Sequence, residues 1–319
     1  MKRLRLQHWM LVCLVMVLTA CGNQQEELRD KNIQVAKHKV EALGQQLSTG
    51  QVRNANILKQ YGMMLSQQKP DYASLAEVMV QDATTQGPMY QSLVRRLDNA
   101  TSSPQNFVSI EEQIDELENI ASAADPVLFS DALSDPINVL ADVSDGKLAR
   151  VNSVSKEASI QANGAEDFGA GSQLVGNPSY GQWQTNSSGM SFWAWYGMYS
   201  MFSNLTRPVY YDSWSRGRDY SYYNDYGRSR YTSPSQYRQQ EQQVARTKKT
   251  FGNNKSSFKS PYAKNRTGST NVSSASRKAQ SATSFASRSS YAKKSSSSNR
   301  SSSFRTNRNT SSRSPSRGK

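Results

Sequence analysis

The sequence predicts a mainly α-helical protein: a small helical bundle or set of helical hairpins over about residues 24–156, followed by a long, largely disordered C-terminal region. Three observations predict it. Between Gln24 and Lys156 apolar residues recur at spacings of three and four, the period of an amphipathic helix. Proline- and glycine-containing breaks cut that stretch into helix-sized pieces. From Glu241 to Lys319 serine and basic residues dominate, so no apolar core can offset the entropy of ordering the chain.

The elements follow in order. Ile33, Ala36, Val40, Leu43 and Leu47 form the seam of a first helix. Val52 to Ser66 and Tyr72 to Asp82 read as shorter helices, separated at Lys69-Pro70. Gly87-Pro88 breaks the chain again, and Met89, Leu93 and Leu97 resume the helical spacing. Phe107, Ile110, Ile114, Leu117 and Ala121 form a further seam, with Ser103-Pro104 as its cap and first-turn proline. Asp125-Pro126 and Asp135-Pro136 are two helix starts, and Asp145-Gly146 is a turn. The seams could also pair with a second chain as a coiled coil, but two heptads each is short for that, and packing within the chain is favoured. Residues 161–189 dissolve into Gly, Asn, Ser and Gln and read as a linker.

The N-terminus carries an address. Lys2, Arg3 and Arg5 precede an uncharged apolar run from Trp9 to Leu18. Ten residues rise only about 15 Å as a helix, half a bilayer's hydrocarbon thickness, which suits a signal-peptide core rather than a span. Leu18-Thr19-Ala20-Cys21-Gly22 resembles the lipobox of bacterial lipoproteins, in which small residues precede a cysteine that is acylated and becomes the new N-terminus. The resemblance implies that residues 1–20 are removed, that Cys21 is lipidated and that the protein is anchored in the cell envelope. In a Gram-negative host, Gly22 instead of Asp after the cysteine implies the outer membrane. Cys13 and Cys21 are the two cysteines of the chain, so the mature protein is expected to hold no disulfide.

Charge divides the chain. Residues 22–205 hold 12 Lys+Arg against 21 Asp+Glu, whereas residues 206–319 hold 24 against 4. That asymmetry suggests an acidic helical body (21–160) and a basic functional tail (241–319). Between them, residues 190–240 are an aromatic and Tyr/Arg-rich segment. Phe192, Trp193, Trp195, Tyr196, Tyr199 and Phe202 are expected to contact the membrane interface, the helical body or a partner protein, with a true span as the third reading. Arg216, Arg218, Arg228 and Arg230 are interleaved with tyrosines and, with Lys248, Lys249, Arg305, Arg308, Arg313 and Arg317, are candidate contacts to a polyanion. In a cytoplasmic protein the same pattern would suggest nucleic acid, and the lipobox argues against that partner.

The tail has 18 Lys+Arg, one acidic residue and a weak repeat: Ser-Phe-x-(Ser/Thr) at 257, 284 and 303, and Tyr-Ala-Lys at 262 and 291. As a flexible chain of 79 residues it would reach about 50 Å. The expected partners are anionic envelope polymers or lipid headgroups. An alternative is a scaffold whose helical body and aromatic segment bind another protein. An enzyme is not expected. His38 is the only histidine outside the first 20 residues, which removes the parts for common zinc sites and Ser–His or Cys–His catalysis. The acidic run Glu111, Glu112, Asp115, Glu116 and Glu118 reads as a solvated helix face. No cofactor and no metal are expected.

Overall fold

The computed structural model describes residues 2–163, 166–251, 261–262 and 274–279, with side chains from Gln24 onward except at 159, 162–163 and 251. The helical seams are where the spacing places them. Helix α1 (Lys2–Ser48) runs unbroken through residues 18–22, and Ala36, Val40, Leu43 and Leu47 are buried along one side. It packs chiefly on α5, so its seam is covered within the chain. Helices α2 (Arg53–Gln68), α3 (Ala73–Gln81) and α4 (Pro88–Ser102) follow, divided by a 3-10 turn at Pro70–Tyr72 and by the tight turn before Pro88. Gly87 is required in that turn: a Cβ there would lie 2.4 Å from Asp82 Cα.

Helix α5 (Ile110–Ala123) starts later than the Ser103-Pro104 signal. Pro104–Asn106 forms only a 3-10 turn, and the cap is Ser109. Its hydroxyl accepts from Glu112 N at 3.3 Å while Glu112 Oε2 accepts from Val108 N at 2.7 Å, a variant of the capping box in which the returning bond goes to the residue before the cap. Helix α6 (Pro126–Ala132) is capped by Asp125 as the sequence indicates. Helix α7 (Ser134–Val143) is not capped by Asp135, whose carboxylate is buried and turned to another segment. The Asp145-Gly146 turn holds, with φ of 55° and 78°.

After α8 (Lys156–Asn163), the stretch expected to be a linker is part of the core. Leu174, Val175 and Tyr180 are fully buried, and glycines supply the conformations that let so short a segment fold back. Gly176 is one, at φ 88° with Trp214 against it. A hairpin follows, β1 (Gly181–Thr185) antiparallel to β2 (Ser191–Trp195), which places Trp183 opposite Trp193. It spans the boundary between the expected linker and the expected aromatic segment. Asn186 closes the turn by accepting from Ser188 N and Met190 N.

Short helices α9 (Tyr199–Ser203), α10 (Tyr211–Gly217) and α11 (Arg228–Tyr231, entered through a π-turn at Tyr223–Gly227) lead to α12 (Pro234–Phe251). Thus 190–240 is not a separate segment. Phe202, Tyr211, Trp214, Tyr220, Tyr222, Tyr223 and Tyr231 join one hydrophobic core with the helices of the body.

The expected boundary at 241 falls inside α12. Within the expected disordered tail, Tyr262 is buried and Ser274–Ala279 form a helical turn with Ser276 buried. The rest of the tail lies outside the described residues. Among the described residues no helix is long and apolar enough to cross a membrane.

Candidate functional site

Where the second half of the chain meets the first, two buried carboxylates make the joint. Asp82 accepts from Met89 N at 3.1 Å, capping α4, and from Tyr180 Oη at 2.7 Å. Burial raises its pKa from 3.8 to about 6, partly offset by those two bonds. Asp135 accepts from Tyr222 N, Tyr223 N and Ser221 Oγ at 2.7, 3.0 and 3.1 Å. It therefore caps a helical segment 86–88 residues downstream. Burial again dominates, raising its pKa to about 7, with the backbone bonds from Tyr223 and Tyr222 opposing.

Charge pairs reinforce the joint. Arg96 and Glu116 form a bidentate pair at 2.7 and 2.8 Å, and Arg96 also donates to Arg230 O at 2.6 Å. Glu116 is 1% exposed, so the acidic run on α5 is not one solvated face. Glu112 pairs with Arg238, and Glu111 accepts from Gln25 Nε2. Arg150 bridges Asp142 at 2.8 Å and Asp219 at 3.0 Å.

The candidate polyanion contacts separate into three groups. Arg218 is 2% exposed; it pairs with Asp225 and donates to Pro261 O at 2.7 Å. It is a buried structural residue, and its predicted contact with a polyanion is corrected accordingly. Arg228 is also taken up by the fold: it pairs with Glu241 at 2.6 Å, and its guanidinium lies over Tyr237 and Tyr262 at 4.1 and 3.9 Å. Arg230 is half-buried and donates to Tyr226 O at 3.3 Å. Arg216, Lys248 and Lys249 face solvent, Arg216 with Asp212 at 3.6 Å. Arg305, Arg308, Arg313 and Arg317 lie outside the described residues, as do the side chains of Leu18, Thr19, Ala20, Cys21 and Gly22. His38 is exposed on α1, and no cluster of potential metal ligands occurs among the described residues.

The six aromatics also divide. Trp193 and Phe202 are buried, Trp195 stacks on Phe202 at 4.3 Å, and Phe192 is half-buried. These rings dock on the protein's own core. Tyr199 (66% exposed) and Tyr196 (47% exposed) do not.

Tyr196 stands on a groove that no sequence signal marked. The groove runs between α12 on one side and the hairpin, then α4, on the other. Three cavities share walls along it. The first, about 650 Å³, is lined by Gln86, Gln91, Arg95, Ser179, Tyr196 and Gln236 among others. The second, about 180 Å³, adds Gln182, Trp183, Trp193, Gln239 and Gln243. Continuing past Gln243 and Arg246, the third, about 200 Å³, is lined by Thr185, Met190 and Thr250.

Its α12 wall is polar where a helix normally turns apolar residues inward. Gln240, Gln243 and Thr247 are the buried positions. Gln240 is held by Tyr223 Oη at 2.7 Å and by Arg228 Nε at 2.7 Å. The Gln236, Gln239/Gln240, Gln243 spacing is helical, but glutamine does not register as an apolar seam. No family model matches the chain, and no curated protein and no solved structure matches it either.

Proposed function

We propose that the chain is a non-enzymatic lipoprotein of the cell envelope, anchored through Cys21, whose folded domain holds a basic C-terminal segment against anionic envelope polymers or lipid headgroups. One observation carries the reading. Arg228 binds Glu241, the last acidic residue of the sequence, so the 78 residues that follow carry 18 Lys+Arg and no carboxylate side chain. Each cation near an anionic surface contributes on the order of 1 kcal/mol, less as salt rises. Pro261 and Tyr262, held by Arg218 and Trp214, fix one point of that segment to the domain.

The test has two parts. The mass of the N-terminal peptide from membranes should be that of an acylated Cys21; an intact Met1 overturns the anchor. Binding of the protein to phosphatidylglycerol vesicles should weaken steeply between 50 and 500 mM salt, on the order of tenfold or more, and vanish on deletion of 263–319. Binding that survives both overturns the role of the tail. A specific protein partner retained after that deletion would favour the scaffold reading, which Tyr196 and Tyr199, exposed beside buried aromatics, also support.

A further inference from the structure

We infer that the groove beside α12 is a binding site for an uncharged, hydroxyl-rich glycan strand. The inference stands on the groove alone and needs neither the anchor nor the tail. Three cavities sharing walls in a row accommodate an extended chain better than a compact metabolite, which is normally enclosed in a single pocket.

The lining chemistry selects the class of chain. Glutamine amides from α12, β1 and α4 recur along it. Each amide donates and accepts without charge, which matches a row of sugar hydroxyls. No Asp or Glu is among the residues lining the first two cavities. They therefore offer no counter-charge to a basic peptide and no carboxylate pair for hydrolysing a glycosidic bond. Apart from two prolines, Val78 and Met198 are the aliphatic side chains there, too few to form sockets for the side chains of a peptide.

The aromatic chemistry agrees. Tyr196 lies at the wall shared by the first two cavities, and its hydroxyl is fixed by donation to Gln182 Oε1 at 3.1 Å. A fixed, half-exposed ring is a platform for the C–H face of a pyranose. Two residues lining the groove also carry a buried, unused donor. The indole N–H of Trp193 and the hydroxyl of Ser179, both at least nine-tenths buried, have no hydrogen-bond partner among the described residues. A buried donor without an acceptor is costly, and a hydroxyl or acetamido oxygen arriving in the groove would remove that cost.

The experiment uses the full chain in detergent, titrated with uncharged di- and hexasaccharides of glucose, N-acetylglucosamine, galactose and mannose and followed by tryptophan fluorescence. At least one hexasaccharide should bind about tenfold more tightly than its disaccharide. That affinity should be the same at 50 and 500 mM salt. Tyr196→Ala should lower it about tenfold without changing Tm, because the ring is half-exposed, and Tyr196→Phe should retain most of it. No binding by any of the hexasaccharides at millimolar concentration overturns the inference, as does binding indifferent to Tyr196→Ala. Salt-sensitive binding lost with residues 263–319 would assign the ligand to the tail and overturn it too. A Tyr196-dependent complex with members of a dodecapeptide library, and with no sugar, would make the groove a peptide site instead.

Discussion

Two regions of this protein are equally well buried and are held by different means. From Ala36 to Val143 the interior is aliphatic apart from Phe129, made by Leu, Ile, Val, Ala and Met at helical spacing. From Phe168 to Tyr231 it is mainly aromatic, made by rings on short, irregular elements with Ala170, Leu174, Val175, Met198 and Val209 between them. There Trp183 sits 5.2 Å from Trp193, 4.7 Å from Tyr211 and 5.1 Å from Trp214, with inclined planes. The aliphatic region satisfies its backbone within its helices and, at their ends, with side chains of the same region such as Asp82 and Ser130. The aromatic region borrows partners from the aliphatic one: Tyr180 uses Asp82, the 221–223 backbone uses Asp135, and Tyr231 Oη donates to Ala123 O at 3.1 Å. The aromatic layer is therefore a dependent structure, and its stability is written partly in acidic residues of the other half.

The comparison can be broken most severely at the Arg96–Glu116 pair, which ties α4, α5 and α11 through Arg230 O. Glu116→Ala leaves a buried guanidinium without its partner and should lower the unfolding free energy by about 3–5 kcal/mol in urea melts. A loss below about 1 kcal/mol would mean that water reaches the pair. Asp135→Ala should cost about 2–3 kcal/mol by stranding two backbone donors. Hydrogen exchange should accelerate at Tyr222 and Tyr223 more than in α1, if the aromatic layer depends on the helical one as described.

The pH dependence follows from the two raised carboxyls. Their folded pKa values, about 6 and about 7, lie above the ordinary 3.8, so the folded state binds protons more tightly. Their contribution to stability is thus greatest below about pH 4 and declines as pH rises to about 7. The slope is at most about 1.4 kcal/mol per pH unit for each group. Asp82→Asn should flatten the decline between pH 4 and 6 in urea midpoints, and a profile parallel to the parent would show that Asp82 does not titrate there.

Local features sharpen the contrast at smaller scale. Asp125→Ala removes a cap within one helix and should cost about 1 kcal/mol, clearly less than the same change at Asp135. Smallest of all, Arg238→Ala removes a half-exposed pair with Glu112 and should change stability by about 0.5 kcal/mol or less.

The same contrast explains what could be read from the sequence. The seams of α1 and α4, the breaks at Pro70 and Pro88 and the Asp125 cap are local, repeated signals, and the helical class followed from them. Residues 166–231 have no period. Their order comes from glycine conformations, from rings paired across a hairpin and from acceptors up to about a hundred residues away, none of which local spacing encodes. Asp135 shows the difficulty well, because Asp-Pro reads as a helix start whether the carboxylate caps its own helix or another. The turn Asn186–Gly189 between Trp183 and Trp193 was a hairpin signal within reach. The glutamine wall of the groove was not, since polarity on the inner face of α12 looks like ordinary solvent exposure. Arg218 and Arg228 resembled a cationic surface because their acidic partners, Asp225 and Glu241, are single residues in a basic stretch.

Asp135 has a further consequence, for the order of assembly. Its partners are separated from it by 86–88 residues, and those of Asp82 by as many as 98. Contacts so distant in the chain form late, because a long loop must close before they contribute. An N-terminal fragment emerging first would therefore hold Asp135 without its donors, and Asp82 with Met89 N but without Tyr180, leaving both carboxylates hydrated. The helices pack on one another first, and Tyr180 and Ser221–Tyr223 then dock on a scaffold already in place. The aromatic half, which takes caps and acceptors from residues 82–135, is thus the last part of the chain able to complete its fold.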